Sequence, residues 1–221
     1  MSLLKSFLKN LRKIVLNDQR EKELANQFIN LIKENITANK VKILDYGSGF
    51  QPKVIQLIRT EMEKDNISFE AHCYDFYSEK NLINLNINSK EKYFNIKKLE
   101  INNEYYDFAI ISDVLHHIGV NKLDKISKII IDLKSKSKFL IIKDHFEFNL
   151  ISRQILRFMD FIGNYYNNVN IPKKYFKKKD FDIFIEKLNI KVIKKVDKNR
   201  YYSKKFLFFS NPNLHFIYLL K

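Results

Sequence analysis

Two glycines separated by one residue, in a chain with four glycines among 221 residues, constrain the fold more than any other feature. Gly47 and Gly49 follow an apolar run, Val41–Leu44, and an acidic residue, Asp45, and they precede a run with helical spacing, Pro52–Lys64. Glycine adopts positive φ and lets the backbone approach a ligand closely. A strand, a glycine turn and a helix in this order are typical of the ligand-binding opening of a doubly wound α/β fold.

The spacing of this turn differs from the dinucleotide fingerprint, which requires a third glycine where this chain has Pro52. It resembles the first motif of class I S-adenosylmethionine (SAM)-dependent methyltransferases, in which a strand leads into Asp-x-Gly-x-Gly. The resemblance implies that Asp45, Gly47 and Gly49 bind the methionine end of SAM. The helix that begins near Pro52 is expected to point its free N–H groups and positive dipole end at the same turn.

The composition predicts a globular protein with one main domain. Hydrophobic residues make up 45% of the chain and aromatic residues 14%, which is enough for a core. The single cysteine, Cys73, excludes an intrachain disulfide and suits a cytoplasmic protein. No apolar run approaches the ~20 residues that cross a bilayer.

The formal net charge of +15 is the one compositional hint of a polyanionic partner. The excess is nearly all lysine, it is scattered along the chain, and it accompanies abundant asparagine and isoleucine with few glycines and prolines. Such a bias arises from composition alone, so we do not expect nucleic acid as a partner.

Residues 3–36 are predicted to form helices with a break at Asn17-Asp18. We therefore expect an N-terminal helical extension over residues 1–38 and a Rossmann-like domain over residues 39–221. The first helix is basic and amphipathic, so it either packs on the domain with its lysines in solvent or lies on a membrane surface. The matching expectation for location is the cytoplasm, with peripheral contact at the inner face of the membrane as the second option.

The remaining pattern predicts an α/β fold: a doubly wound, mostly parallel seven-stranded sheet with helices on both faces. The resemblance implies that the seventh strand is antiparallel. The predicted strands are Val41–Tyr46, Phe69–Asp75, Tyr93–Leu99, Tyr106–Ser112, Lys138–Lys143, Ile190–Val196 and Leu214–Leu220. The predicted helices of the domain are Pro52–Lys64, Val120–Lys134, Phe148–Gly163 and Asp180–Leu188, the last capped by Asp180.

An acidic residue also ends the second predicted strand. Asp75 can accept hydrogen bonds from both ribose hydroxyls of a nucleoside, and Phe76 follows it as a candidate for the adenine face. The alternative is that Asp75 caps the next helix. Together with the glycine turn, the ribose role is the favoured interpretation.

The fourth predicted strand begins Tyr-Asp and leads into Leu-His-His, which again resembles the class I methyltransferases. The resemblance implies that these residues line the floor of the site beside the methyl donor. The cofactor side is then expected to include Ser112, Asp113 and Val114. Of the two histidines that follow, His116 and His117, His117 is expected to contact the acceptor.

Asp144 and His145 follow the fifth predicted strand and face the same edge of the sheet. A hydroxyl acceptor needs a base within hydrogen-bond reach of its proton. His145, oriented by Asp144 or Asp160, is the first candidate, and His116 is the second. For each histidine, a structural role at a strand end stays open.

A metal site formed by His116, His117, Asp144 and His145 is a rival interpretation that is not expected. His116 and His117 are adjacent, so they do not share the i, i+4 face of a helical zinc pair, and no cysteine supports them.

The helix Phe148–Gly163 carries a polar stripe that we expect to face the acceptor. The stripe includes Arg157, Asp160 and Asn164, and its segment resembles an uncharacterised bacterial branch of the class I methyltransferases. The alternative is an ordinary surface ion pair between Arg157 and Asp160. Tyr201, in an aromatic loop that is either a substrate wall or a lipid-facing patch, completes the predicted acceptor residues.

These patterns predict an enzyme that moves a methyl group from SAM to an oxygen or nitrogen of a small-molecule, lipid-linked or glycan-linked acceptor. Two alternatives stay open: an RNA or protein methyltransferase, and a non-catalytic SAM-binding or membrane-associated scaffold. Phe50 and Gln51 discriminate between enzyme and scaffold, since side chains that fill the pocket would favour the scaffold. The oligomeric state is left open.

Overall fold

A computed structural model describes residues 18–49, 52–76, 91–99, 103–164, 170–196 and 211–221. Within these ranges seven strands form one sheet in the order β3-β2-β1-β4-β5-β7-β6, and β7 runs antiparallel to both of its neighbours. The strands are β1 Lys40–Tyr46, β2 Ser68–Asp75, β3 Glu91–Asn95, β4 Tyr106–Ser112, β5 Ser137–His145, β6 Val192–Val196 and β7 His215–Leu220. This confirms the predicted mostly parallel sheet.

Helices cover both faces of the sheet, as predicted for a doubly wound fold. They are α1 Asp18–Asn35, α2 Lys53–Lys64, α3 Leu115–Ile118, α4 Leu123–Ser135, α5 Leu150–Asn164 and α6 Lys178–Lys187. Side chains alternate along each strand, so Phe108 and Ile110 of β4 pack with α1, α2 and α5. Ala109 and Ile111 pack with α4 and α6 on the opposite face.

The N-terminal helix α1 begins at Asp18, where the sequence predicted a helix break. Its buried residues Leu24, Phe28 and Ile32 join the hydrophobic cluster that also holds β1 and α2. The predicted helix before residue 17, and the membrane contact expected from it, lie outside the described residues. The division at residue 38 stays a prediction. No helix in the described ranges combines the length and apolarity needed to cross a membrane.

The ends of two strands, β3 and β5, differ from the prediction because local hydrogen bonds or neighbouring strands decide them. β3 ends at Asn95 and a 3₁₀ turn, Ile96–Leu99, replaces the end of the predicted strand. The Asn95 side chain accepts the Lys97 N–H at 3.1 Å, and such a local bond competes with the sheet ladder. β5 is longer than predicted, because its last residues, Asp144 and His145, pair with the antiparallel strand β7.

Helix starts also shift. α5 begins two residues late because Asn149 accepts the Ser152 N–H at 2.8 Å, which is the geometry of an N-cap. α6 begins at Lys178, so the predicted cap at Asp180 is wrong; Asp180 lies in the first turn, where a carboxylate still favours the helix dipole. Pro52 directly precedes α2 rather than occupying its first position.

Candidate functional site

The glycine turn, residues 45–49, is fastened to the end of β2 by backbone hydrogen bonds. The Gly47 N–H donates to the Tyr74 carbonyl at 2.8 Å. The Gly49 N–H donates to one oxygen of the Asp75 carboxylate and the Phe76 N–H to the other, each at 2.7 Å. The turn and the acidic end of β2 therefore form one unit. Residues 77–90, which follow Asp75 and would include the helix that it was alternatively expected to cap, lie outside the described ranges.

Steric restrictions explain why both positions, Gly47 and Gly49, are occupied by glycine. Gly47 and Gly49 have φ values of +77° and +72°, which L side chains rarely adopt. A Cβ at Gly47 would collide with the Val114 side chain, whereas the space beside Gly49 is open. Val114 thus packs against the turn at Gly47, and no atom of the described residues occupies the space beside Gly49.

The Asp45 carboxyl is buried beside this turn. Burial, followed by the negative charge of Asp75, raises the pKa of Asp45 to about 7. An ionised Asp45 is therefore disfavoured unless a positive group comes near it, and a cationic ligand would supply that group.

Two cavities border the turn. One, of about 180 Å³, is lined by Asp45, Ser48 and Ser112, and also by Arg20 of α1 and Lys53 of α2. The other, of about 450 Å³, lies along Tyr46, Phe76, Ile96, Lys97 and Ile129. Phe76 is 71% exposed, so its ring is accessible to a ligand.

Asp113, at the end of β4, is the centre of an ion-pair network that joins three elements. Its carboxylate lies 2.6 Å from Arg20 Nη2 and 3.0 Å from His145 Nε2, and it accepts a hydrogen bond from Lys143. Burial alone would raise the pKa of Asp113, but Lys143, His145 and Arg20 hold that pKa well below its usual value. Sequence reasoning missed Arg20 and Lys143. A lysine inside the apolar β5 was the available signal for Lys143, whereas no local pattern marks Arg20.

Beyond Asp113 lies a second group, here called the histidine cluster: His116, His117, Asp144, Asp160 and Tyr175. His116 Nδ1 lies 2.6 Å from Asp144 Oδ1, and His116 Nε2 lies 3.5 Å from Asp160 Oδ2. Tyr175 donates its hydroxyl to Asp160 at 2.5 Å. Burial alone would lower the pKa of His116, but the two carboxylates raise it to about 10, so without another cation His116 is an imidazolium at neutral pH.

The neighbouring His117 and His145 are neutral at neutral pH. Burial, and then the charge of Lys143, lowers the pKa of His145. Burial, and then the charge of His116, lowers the pKa of the half-buried His117. The acceptor beside His145 is Asp113, rather than Asp144 or Asp160 as expected, because those two carboxylates lie at His116.

Solved structures resemble this fold, although no family model and no curated protein matches the sequence. The plantazolicin methyltransferase BpumL in complex with SAH aligns with a TM-score of 0.61 at 15% identity, over 98% of this chain and 90% of that one. A SAM-dependent methyltransferase from Archaeoglobus fulgidus aligns with a TM-score of 0.55 at 15% identity, over 90% and 94%.

The pyocyanin biosynthetic protein PhzM aligns with a TM-score of 0.55 at 10% identity, over 87% of this chain and 53% of PhzM. The chain thus spans about half the length of that protein. The chain has the class I SAM-dependent methyltransferase fold.

In this methyltransferase fold, the residues predicted for the cofactor lie at one edge of the sheet. Asp45, Gly47, Gly49 and Asp75 form the turn unit described above, and Phe76 flanks the larger cavity. Ser112 and Asp113 line the smaller one, and Val114 packs against the turn at Gly47. Phe50 and Gln51 lie outside the described residues.

The residues predicted for the acceptor divide into two groups. Asp160 turns inwards to the histidine cluster and His117 lies beside it. Arg157 is exposed and donates to Gln154 at 3.4 Å, so neither the continuous stripe nor the Arg157–Asp160 surface pair describes this face. Asn164 is half-buried at the end of α5, and Tyr201 lies outside the described ranges.

Proposed function

We propose that this chain is a SAM-dependent methyltransferase that moves a methyl group to an oxygen or nitrogen of a small-molecule, lipid-linked or glycan-linked acceptor. The observation that carries the proposal is the pair of buried carboxyls at the glycine turn, Asp45 and Asp75. A ligand with a positive group and neighbouring hydroxyls complements this pair, because carboxylates accept hydrogen bonds and attract cations. The methionine end and the ribose of SAM carry these groups.

The residues around the smaller cavity fit the methionine end. Asp45, with its pKa raised to about 7, gains a counter-charge from an ammonium group. Arg20 and Lys53 line the same cavity and suit a carboxylate, while the open space beside Gly49 admits the ligand. Asp75, held by two backbone N–H groups, presents fixed acceptors for the ribose.

The larger cavity suits the adenine. Its apolar lining, Phe76, Ile96 and Ile129, can contact the two faces of a flat base. Its volume of about 450 Å³ falls within the range of small-molecule sites. This assignment extends the expected adenine role of Phe76.

When bound, SAM supplies a methyl group that is already activated as a sulfonium, so the chain's own residues chiefly orient the acceptor and exclude water. For a hydroxyl acceptor, His145 is the proposed base. If its Nε2–H donates to Asp113, its Nδ1 keeps the lone pair that takes the proton. His116, with a pKa of about 10, contributes positive charge rather than basicity, and Asp144 fixes its ring.

The proposal is tested by calorimetric titration of SAM. We expect wild-type protein to bind, and Asp45→Asn to weaken binding about a hundredfold, since a charged hydrogen bond is worth roughly 1.5–3 kcal/mol. Asp65→Asn is the matched control, because Asp65 is an exposed carboxylate that pairs with Lys33. Absence of SAM binding by wild type, or unchanged binding by Asp45→Asn, would contradict the proposal.

Transfer is tested separately with tritiated SAM on a host extract fractionated into lipid, RNA, protein and small molecules. Label in the small-molecule or lipid fraction supports the proposed acceptor class. Label in RNA or protein would favour the corresponding alternative, and SAM binding without label in any fraction would favour a scaffold.

A further inference from the structure

The histidine cluster brings together three ligand groups, and the proposed chemistry gives a role to only one of them, His116, as a source of positive charge. One ligand atom from each of His116, His117 and Asp160 lies within 4.8 Å of the other two. His116 Nε2 and Asp160 Oδ2 are 3.5 Å apart. Two ligands bound to one tetrahedral zinc ion at its usual distances of about 2.0–2.2 Å lie roughly 3.3–3.5 Å apart, so this spacing suits a shared ion.

Each of the two histidines has an oxygen acceptor next to its Nδ1 atom. His116 is 1% exposed, and its Nδ1 lies 2.6 Å from Asp144 Oδ1. His117 Nδ1 lies 3.2 Å from the Asn170 carbonyl oxygen. An oxygen acceptor on one ring nitrogen is the usual partner of a metal-bound histidine, because it fixes the tautomer and turns the other nitrogen to the ion.

The second nitrogen of His116 is the atom that points to a ligand. Among the residues that the structure describes, the buried His116 Nε2 has no partner with hydrogen-bond geometry: Asp160 Oδ2, which it faces, lies 3.5 Å away and forms only an ion pair with it. Buried polar atoms are nearly always hydrogen-bonded or bound to a metal ion. An ion between Nε2 and Asp160 would satisfy this nitrogen.

Charge selects this trio over a neighbouring one. Asp113, His116 and His145 are also close enough to share an ion. Asp113, however, is already paired with Arg20 and Lys143, whose positive charges would repel a second cation. His116 instead lies between Asp144 and Asp160, two buried carboxylates that favour one.

We propose that His116, His117 and Asp160 bind a divalent transition-metal ion through two imidazoles and one carboxylate. Nitrogen and oxygen ligands without a thiolate suit Zn²⁺ and Fe²⁺. Because His117 is half-buried, the ion keeps a position open on that side. The expectation of no metal considered His116, His117, Asp144 and His145, whereas the third ligand here, Asp160, comes from α5.

The test is a calorimetric titration of chelator-treated full-length protein with Zn²⁺. Co²⁺ is the second probe, because its visible absorption reports nitrogen and oxygen ligation. We expect one ion per chain at this site. His117→Ala and Asp160→Asn should each weaken the affinity for that ion at least about a hundredfold, because each removes one of three ligands. Circular dichroism melting of each variant shows whether it is folded; His117→Gln replaces any variant that is not.

A matched control removes a different cluster. Glu70, His72 and Glu104 also lie close enough to hold an ion, and Glu104 is exposed. We expect Glu104→Gln to leave the affinity for Zn²⁺ unchanged. Zn²⁺ binding that survives in folded His117 and Asp160 variants, that is lost in Glu104→Gln, or that is absent from wild type would overturn the inference. SAM titration of the same wild-type sample keeps this outcome separate from failure of the proposed function.

Discussion

The glycine turn and the histidine cluster lie at the same edge of one sheet, but they are built in different ways. The turn depends on backbone N–H groups, and its parts come from two neighbouring strands, β1 and β2. The cluster depends on side chains from α3, β5, α5 and the chain that follows α5. A backbone site tolerates few residues at its turn, whereas a side-chain site depends on how distant elements pack.

The largest effect is expected at Gly47, where the backbone site has no room for a side chain. Gly47→Ala adds a Cβ that collides with Val114 and strains a positive φ, so we expect about 2–5 kcal/mol less stability and loss of SAM binding. Urea unfolding measures the first and calorimetry the second.

Gly163→Ala is the control for that substitution, because Gly163 lies in α5 with open space where its Cβ would be. We expect it to stabilise the protein by roughly 0.5–1 kcal/mol through helix propensity. Adding Val114→Ala to Gly47→Ala should recover the steric part of the loss. If the two alanine variants were equally stable, the backbone of the glycine turn would not be sterically restricted as described.

The next effect concerns the pH dependence of stability at Asp45. Its pKa is raised from 3.8 to about 7 in the folded chain, so between these pH values the folded state holds a proton that the unfolded state has lost. The free energy of unfolding therefore falls as pH rises from about 4 to about 7, by up to ~4 kcal/mol.

Asp45→Asn has no such proton, so its stability relative to wild type should increase across that pH window and stay constant above it. Urea unfolding at several pH values measures this difference, and Asp65→Asn provides the matched control. A difference that is constant with pH would mean that Asp45 is not a buried, unpaired acid.

The smallest effect is expected at the side-chain site. Tyr175→Phe removes the hydrogen bond to Asp160 and leaves the buried ring, so we expect a loss of about 1–2 kcal/mol in thermal or urea unfolding. Tyr105→Phe, at a ring that is 62% exposed, should change stability by less than about 0.5 kcal/mol. No difference between the two would mean that Asp160 is not fixed by Tyr175.

The fold was largely predictable because its signals are local. The apolar run of β4, predicted as Tyr106–Ser112, forms that strand at those bounds. Boundaries failed where a side chain or a distant strand intervened, as at Asn95 and at the end of β5. The spacing of apolar residues gives no information about a local side-chain hydrogen bond or about pairing with a distant strand.

In the candidate site, too, residues with local signals were predictable and residues with long-range contacts were not. Asp45, Gly47, Gly49 and Asp75 could be identified from short motifs, because a turn of this geometry restricts its own residues. The partner of Asp75, the Gly49 N–H, follows from that motif once the two strands are parallel neighbours. Arg20 could not be identified, because it reaches Asp113 across 93 positions of the sequence.

By itself, the sequence determined the alternating elements, the glycine turn and the polar strand ends, because these depend on backbone sterics and on burial of apolar periodic faces. Only the tertiary structure decided the partners of the buried charges: Asp113 with Arg20 and Lys143, and His116 between Asp144 and Asp160. The physical reason is that charge interactions depend on distance in space and on burial, and both are set when the helices pack on the finished sheet.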